Sequence, residues 1–271
     1  MKKINFKKQK LVTMLLLILS LHLFFNCGIN DPDNNVFNTE YSATENFSFT
    51  VDGSNRSQLK VNSINGSIEI LGVAGLSSVE ISGEKKVDSE TRADAQAHLK
   101  DLDVNISTSG TEINVETEQP QETYGRDYSV NFQIRVPASW QVKTNLTNGE
   151  VYVDSLNNDV DINLINGNVV LNEVFGGVNV VLTNGQVDGR LFLPLHSQFD
   201  ISTTNGVINL LFPKTTSANF TAQVTNGIIK TNELSFSNMS SSNQLVTGKL
   251  GNGQGSIQLK TTNGNINVSG F

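Results

Sequence analysis

Cysteine is nearly absent from this sequence, since Cys27 is the single thiol among 271 residues. A lone cysteine cannot close a disulfide within one chain, which excludes a small secreted fold held together by disulfides. Beyond residue 26 there are two histidines, His98 and His196, and neither has another histidine or a cysteine near it in sequence. The Gly-rich acidic nonapeptide of calcium-binding β-rolls does not occur either. The sequence therefore predicts no metal site and no cofactor.

Basic residues are also scarce once the first 26 residues are set aside. The full chain has 19 Lys and Arg against 26 Asp and Glu, and five of the lysines lie within residues 1–10. Because residues 1–26 contain no acid, 14 basic and 26 acidic side chains remain, a net charge of −12. A chain this acidic, with its cations scattered, lacks the basic surface that phosphate binding requires. Nucleic acid is thereby excluded as a partner, and an anionic membrane surface would repel the protein.

Long apolar runs are absent except at residues 11–25, which follow the five lysines. A membrane-spanning helix needs about 20 apolar residues, so this shorter run predicts a signal peptide over residues 1–26 and an exported protein. Residues 23–27, Leu-Phe-Phe-Asn-Cys, resemble a bacterial lipobox, in which the cysteine carries a diacylglycerol. The resemblance implies lipidation of Cys27, membrane contact through that anchor, and a place in the cell envelope at the outer membrane or cell surface. Ordinary cleavage near Cys27, with an incidental thiol, is the alternative.

What the sequence does contain is a repeated Asn-Gly pair. Eight such pairs occur, and Asn252-Gly253 alone lacks the flanking pattern of the others. The seven that share it are Asn65-Gly66, Asn148-Gly149, Asn166-Gly167, Asn184-Gly185, Asn205-Gly206, Asn226-Gly227 and Asn263-Gly264. Asn tolerates a left-handed backbone and Gly takes positive φ without a steric penalty, so this pair suits a sharp structural corner.

The residues around each pair alternate between apolar and polar. Apolar side chains recur six and four residues before Asn and three residues after it, with polar residues between them, which is the pattern of strands with one buried face. From Val142 the copies begin at steps of 18, 18, 21 and 21 residues, the length of one coil of a solenoid. The sequence predicts an all-β, single-stranded β-solenoid, a right-handed β-helix, with stacked threonines before several of the asparagines. The alternative is an antiparallel meander or sandwich with a type I′ hairpin at each Asn-Gly.

Two segments interrupt the repeats. Residues 89–102 are rich in helix formers, and Ser89 is positioned to cap a helix there. Strands are expected at 104–106, 112–117 and 128–136, and a protruding loop is expected at 235–254. The domain plan is a signal peptide (1–26), a lipidated N-terminus with a flexible linker (27–46), and one domain (47–271) whose Asn-Gly repeats occupy 140–271.

The repeats resemble a known family, the bacterial putative adhesin domains of unknown function, which carry the repeat T-x-N-G-x-I. Residues 203–208 (TTNGVI) and 261–266 (TTNGNI) match that repeat in full, whereas four copies replace its first Thr with Leu or Val. The resemblance covers residues 47–271. It implies a β-helical fold, an envelope or cell-surface setting, and adhesion as the family's working description.

No catalytic constellation stands out. Asp161 and Asp200 occupy one outward phase, two coils apart with Asn179 between them, so their separation would be about 9–10 Å, near the upper limit for an inverting glycosidase pair. A polysaccharide-active enzyme using these two acids is the runner-up function, and an ice-binding surface based on the Thr column is a third. The leading hypothesis is a noncatalytic envelope lipoprotein with an adhesin-like β-helical surface, which serves either structural contacts or the binding of an envelope protein or a glycan.

Overall fold

A computed structural model of the chain describes residues 39–271. The predicted signal peptide and Cys27 lie outside these residues. The first strand begins at Tyr41, six residues before the expected domain boundary. The strands are β1 (Tyr41–Asp52), β2 (Gln58–Val73), β3 (Ser78–Ser89), β4 (Asp103–Ser109), β5 (Glu112–Glu118), β6 (Asp127–Pro137), β7 (Gln141–Asp154), β8 (Val160–Val174), β9 (Val178–Leu191), β10 (Gln198–Phe212), β11 (Ala218–Asn226), β12 (Ile229–Asn232), β13 (Phe236–Ser241), β14 (Leu245–Leu250), β15 (Gly255–Asn263) and β16 (Ile266–Gly270).

These strands form one open sheet system, so the prediction of an all-β chain with one short helix is confirmed. The main path runs β1-β3-β6-β2-β7-β8-β9-β10-β15-β11-β14-β13. Beside it, β16 pairs with β10 and β12, and β5 pairs with β2 and β4. Strands that carry an Asn-Gly pair are parallel to one another, while the antiparallel strands lie at the two ends.

The Asn-Gly repeats lie side by side in register, in a solenoid-like stack. Ile162 pairs with Val180, and Val180 pairs with Ile201, on adjacent parallel strands. The chain does not reverse at Asn-Gly, because each of β7, β8, β9 and β10 continues through its pair. The hairpin alternative is therefore wrong for these repeats.

Each Asn-Gly pair shifts the alternation of buried side chains by one residue. In β7, Val142, Thr144 and Leu146 are buried before the pair, and Val151 and Val153 after it. Leu146 and Val151 are five positions apart, an odd number, so an uninterrupted strand would point them to opposite faces. The corner therefore lets both halves of a coil bury their apolar side. The buried side chains form one hydrophobic cluster through the domain.

The spatial order of the last coils differs from the order in sequence. β15 and β16 lie between β10 and the pair β11 and β12, although they follow β11 in the chain. Val207 and Ile228 follow Asn-Gly at the same position in consecutive repeats, yet the coil that contains Asn265 separates them.

Antiparallel strands cover the ends of the parallel stack. At one end β3 pairs with β6, β1 with β3, and β4 with β5. At the other end β14 pairs with β11, and β13 with β14. The prediction of a protruding loop at 235–254 is wrong, because most of this segment forms the β13–β14 hairpin.

The single helix in the described region, α1 (Arg92–His98), continues into a 3-10 turn at Leu99–Asp101. It is shorter than the predicted 89–102, and Thr91 caps it rather than Ser89. The hydroxyl of Ser89 instead donates to Asp94, which also accepts a bidentate pair of hydrogen bonds from Arg126 at 2.7 and 2.8 Å. No helix within residues 39–271 is long and apolar enough to cross a bilayer.

Candidate functional site

The corner asparagines form a continuous chain of side-chain hydrogen bonds, here called the asparagine ladder. Each amide Nδ2 donates to Oδ1 of the neighbouring asparagine on the side of Asn65 at 2.7–2.8 Å, and Asn65 at that end donates to the carbonyl of Tyr128 at 2.9 Å. An amide can donate and accept a hydrogen bond at the same time. Asparagines repeated at the strand spacing can therefore satisfy one another's hydrogen-bonding groups. In spatial order the ladder is Asn65, Asn148, Asn166, Asn184, Asn205, Asn263 and Asn226.

Two separate constraints favour glycine after the corner asparagines. Six of the seven have φ between +117° and +154°, a region that side chains disfavour. Coils also approach so closely here that a Cβ on Gly185 would lie 1.6 Å from the carbonyl oxygen of Gly167. The same clash, at 1.6–2.1 Å from a neighbouring carbonyl oxygen, recurs at Gly66, Gly149, Gly167, Gly206, Gly227 and Gly264.

A groove lies beside the asparagine ladder, along β5, β2, β7, β8 and β9, and is the candidate binding site. Its volume is about 390 Å³. The polar part of its wall is a second, shorter ladder in which Asn163 donates to Asn145 at 3.1 Å and Asn145 to Asn62 at 2.7 Å. The groove is lined by Asn62, Ser63, Ile64, Glu116, Thr117, Asn145, Leu146, Thr147, Asn163, Leu164, Ile165, Val181 and Thr183.

Apolar side chains are unusually exposed in this groove. Ile64, Ile165 and Val181 are 39%, 47% and 46% exposed, among the Asn and Thr side chains of neighbouring coils. Glu116 is the one ionisable residue among the described residues that line it. The arrangement offers amide and hydroxyl hydrogen-bonding groups, apolar contact area and little charge. Such a surface suits noncovalent binding of a neutral ligand.

The sequence-predicted acids Asp161 and Asp200 occupy the outward phase expected for them, each paired in register with Asn179. Asp161 is engaged by neighbours, because Lys143 lies 3.0 Å from its carboxylate and Asn179 donates to it at 2.9 Å. Asp200 is exposed. Neither acid lines the groove.

Two titratable side chains on the second half of β7 have raised pKa values. Burial, and then the nearby Glu69, raise the pKa of Glu150. Burial, followed by the charge of Asp154, raises the pKa of Tyr152 to about 12. Both shifts disfavour the charged form of the side chain concerned. Within residues 39–271 no three potential ligands converge in a metal-binding geometry.

An aromatic cluster that the sequence analysis missed lies where β8, β9 and β16 end, away from the Asn-Gly corners. Phe175 and Phe192 stack with ring centroids 4.1 Å apart, and Phe271 meets Phe192 edge-on at 5.6 Å. The guanidinium of Arg190 lies 4.3 Å from the Phe271 centroid and pairs with Glu173 at 2.9 Å. No periodic signal marks these residues, because they lie where coils turn rather than within the alternating strands.

The two histidines of the described region, His98 and His196, lie in different elements of the fold. His98 ends α1 and its Nδ1 lies 2.6 Å from Asp101. His196 is exposed in the turn before β10, with φ of 65°. Neither residue lines the groove.

Comparisons with known proteins identify a family and weak structural likenesses. Residues 127–269, more than half of the chain, match the family model described as Toastrack DUF4097. A crystal structure of a putative cell adhesion protein from Clostridium sporogenes is 13% identical, with a TM-score of 0.49 over 84% of this chain and 100% of that chain. A crystal structure of a putative lipid binding protein from Parabacteroides distasonis is 9% identical, with a TM-score of 0.33 over 84% of this chain and 97% of that chain. A crystal structure of a putative adhesin from Bacteroides fragilis is 8% identical, with a TM-score of 0.28 over the same shares of the two chains. No curated protein matches the chain.

Proposed function

Because the chain belongs to the Toastrack DUF4097 family, we propose that it is a noncatalytic, adhesin-like envelope protein that binds its partner in the groove beside the asparagine ladder. The observation that carries this proposal is the composition of the groove. It combines ordered amides, hydroxyls and exposed apolar side chains, with a single ionisable residue. Ligand sites in proteins combine apolar area with a few placed polar groups in this way.

The ligand that suits this groove best is a neutral glycan. Its hydroxyls would exchange hydrogen bonds with Asn62, Asn145 and Asn163, while its C–H faces would cover Ile165 and Val181. An added peptide strand is disfavoured, because β2, β7, β8 and β9 each have a partner strand on both sides and so have no free backbone edge.

The test is binding of the purified protein to an array of neutral envelope glycans, with the affinity of any hit measured by calorimetry. Asn145→Ala removes the central amide of the groove and is expected to abolish binding. Asn209→Ala is the matched control, because Asn209 belongs to a side-chain ladder outside the groove, with Asp188 and Asn267. The proposal fails if no neutral glycan binds, or if both variants weaken binding equally.

A catalytic role would give a different result in the same assay. Glycan turnover by the wild-type protein that is lost in Asp200→Asn would support the enzyme alternative with Asp161 and Asp200. Binding without turnover supports the noncatalytic function.

The proposed location depends on the lipid anchor at Cys27 and on export by residues 1–26. Cys27→Ala is expected to abolish labelling by a radioactive or clickable fatty acid and to release the protein from membranes. Unchanged labelling and membrane retention would contradict the anchor. A lipidated protein that resists protease added to intact cells would lie on an inner face rather than at the surface.

The parallel stack is further proposed to be a right-handed β-solenoid. This handedness follows the strong general preference of connections between parallel strands for the right hand. A crystal structure in which successive coils wind left-handed would contradict it.

A further inference from the structure

The asparagine ladder has one end whose amide is only half engaged. From Asn65 to Asn263 every member of the ladder uses both Nδ2 and Oδ1 in hydrogen bonds. Asn226 donates from Nδ2 to Asn263 at 2.8 Å, and its Oδ1 has no donor among the described residues. Its side chain therefore rotates at the cost of one ladder bond rather than two.

The backbone at this end is open as well. Gly264 N–H donates to the carbonyl of Asn226 at 2.9 Å, toward the terminal coil. No further coil follows β11 on that side. β14 pairs with β11 over residues 218–223, and Gln244 before it extends this cover to Val224 N–H and the Thr225 carbonyl but not to Asn226. The N–H of Gly227 consequently has no acceptor in the described structure, and both Asn226 and Gly227 are exposed.

From these two observations we propose that Asn226 is a site of spontaneous chemical modification, at which water converts its amide to a carboxylate. In an Asn-Gly pair the deprotonated Gly nitrogen attacks Cγ of the Asn side chain. Because Gly lacks a Cβ, this approach is unhindered. The new bond joins Gly227 N to Asn226 Cγ, the bond from Cγ to Nδ2 breaks, and the nitrogen leaves as ammonia.

Water completes the reaction by opening the cyclic imide at either of its carbonyl carbons. One opening gives aspartate, and the other gives isoaspartate, whose main chain passes through the former side chain. Overall, one amide and one water give one carboxylic acid and one ammonia, so nothing is oxidised or reduced. Water is the only co-reactant, and hydroxide in solution takes the proton from Gly227 N.

The other six members are protected by the same geometry. Rotating Asn184, for example, breaks its bonds to both Asn166 and Asn205. In the ladder's interior each pair is also covered by parallel coils on both sides. The solenoid thus shields an intrinsically labile sequence everywhere in the ladder except at its open end.

The modification would change the contacts of this end. An aspartate at 226 loses the Nδ2 donor to Asn263 and places a negative charge against the Oδ1 that accepted it. Isoaspartate adds a methylene to the main chain, which displaces the neighbouring Ile228 N–H from Asn265 Oδ1, now 3.0 Å away. The terminal coil is the part of the stack that this alteration loosens.

The experiment is peptide mapping by mass spectrometry of the purified folded protein, sampled over weeks in mildly alkaline buffer. Asn226 is expected to deamidate about tenfold faster or more than each of the other six, since one extra hydrogen bond of about 1.4 kcal/mol raises a barrier by that factor. In urea the seven pairs should react at similar rates. Equal rates in the folded protein, or an interior asparagine faster than Asn226, would overturn the proposal.

Two variants make the test specific to the ladder. Asn263→Ser removes the one acceptor that holds the Asn226 amide and is expected to speed its deamidation further. Asn267→Ser lies in the same coil but in another side-chain ladder, with Asn209, and should leave the rate unchanged. If both variants alter the rate equally, general loosening of the coil explains the result and the ladder does not.

Discussion

The corner glycines combine an unfavourable backbone conformation with a close approach by the next coil, and substitution can separate the two effects. Gly75 has φ of +75° but open space around its Cβ position, whereas Gly185 has φ of +140° and a carbonyl oxygen 1.6 Å from that position. We expect Gly75→Ala to lower the free energy of unfolding by about 1–2 kcal/mol, the cost of left-handed backbone. Gly185→Ala should cost about 4 kcal/mol or more, because main chain must move. Urea denaturation measures both, and equal losses would contradict the close-approach argument.

A buried hydroxyl without a partner offers a stabilising substitution. Thr144 is fully buried between Val61 and Ile162, and its Oγ1 has no hydrogen-bond partner. Leaving a buried polar group unpaired costs about 1–3 kcal/mol, so Thr144→Val should raise the stability by about 1 kcal/mol. Thr261 is the control, since it is equally buried but donates to the carbonyl of Gly206 at 3.2 Å. Thr261→Val should not stabilise, and thermal melting that shows the same gain for both would refute the reasoning.

The carboxylate of Asp94 makes stability depend on acid pH. The hydrogen bonds from Arg126, and then that from Ser89, hold the pKa of Asp94 well below its ordinary value of 3.8. The folded state therefore keeps Asp94 ionised where the unfolded chain takes up a proton, so the stabilisation is present above about pH 4 and is lost as the pH falls. Asp94→Asn should lower the melting temperature at neutral pH and flatten its decline between about pH 4 and pH 2. The exposed Asp200→Asn serves as the control, and a decline unchanged by Asp94→Asn would contradict this role.

Between adjacent strands, the stacked apolar columns account for the stability of the repeats. Ile201 is fully buried and lies in register between Val180 and Leu259. Ile201→Ala should cost about 2–5 kcal/mol through lost burial and the remaining cavity. Its neighbour Ser202 points the other way and is partly exposed, so Ser202→Ala should cost less than about 0.5 kcal/mol. Chemical denaturation of both variants checks the alternation, and comparable losses would contradict it.

The elements that sequence predicted well are those fixed by local pattern. The strands at 112–117 and 128–136 were placed within a residue of their observed ends, because alternation and the prolines that follow them are local signals. The insertion of β15 could not be foreseen. Phe199, Ile257 and Phe220 are all apolar at the same phase, so their columns match in any order. The β13–β14 hairpin escaped prediction because β13 has almost no buried residue and hence no alternation.

The sequence predicted the corner asparagines but not the groove beside them. The corner asparagines could be identified from their spacing, but the direction of stacking and the neighbouring groove depend on which coils meet. The sequence signal for the groove is the presence of apolar residues in columns that are mostly polar. Val181 occupies the phase of Asn145 and Asn163, and Ile165 that of Thr147 and Thr183. The aromatic cluster of Phe175, Phe192 and Phe271 had no such column to depart from.

For the molecule as a whole, residues 255–270 link the coils before and after them. A chain that ends at residue 254 lacks β15 and β16, so β11 and β12 lose their parallel partners. We expect such a chain to lose hydrogen-exchange protection in β11 and β14 while β2, β7 and β8 keep theirs, because these retain their neighbours. Exchange measured by mass spectrometry distinguishes the regions. Retained protection in β11 would contradict the observed strand order.

The position of β15 also governs when the stack can be completed. A solenoid whose coils stack in chain order can fold as the polypeptide emerges, each coil templated by the one before. Here β11 and its hairpin emerge earlier, but the edge that they pair with in the native stack does not exist until residues 255–270 have settled against β10. Until then the earlier segment remains an unpaired hairpin, exposed to proteases and to other sheet edges. The fold is therefore completed only when residues 255–270 have been inserted, and a chain that lacks them leaves β11 without its parallel partner.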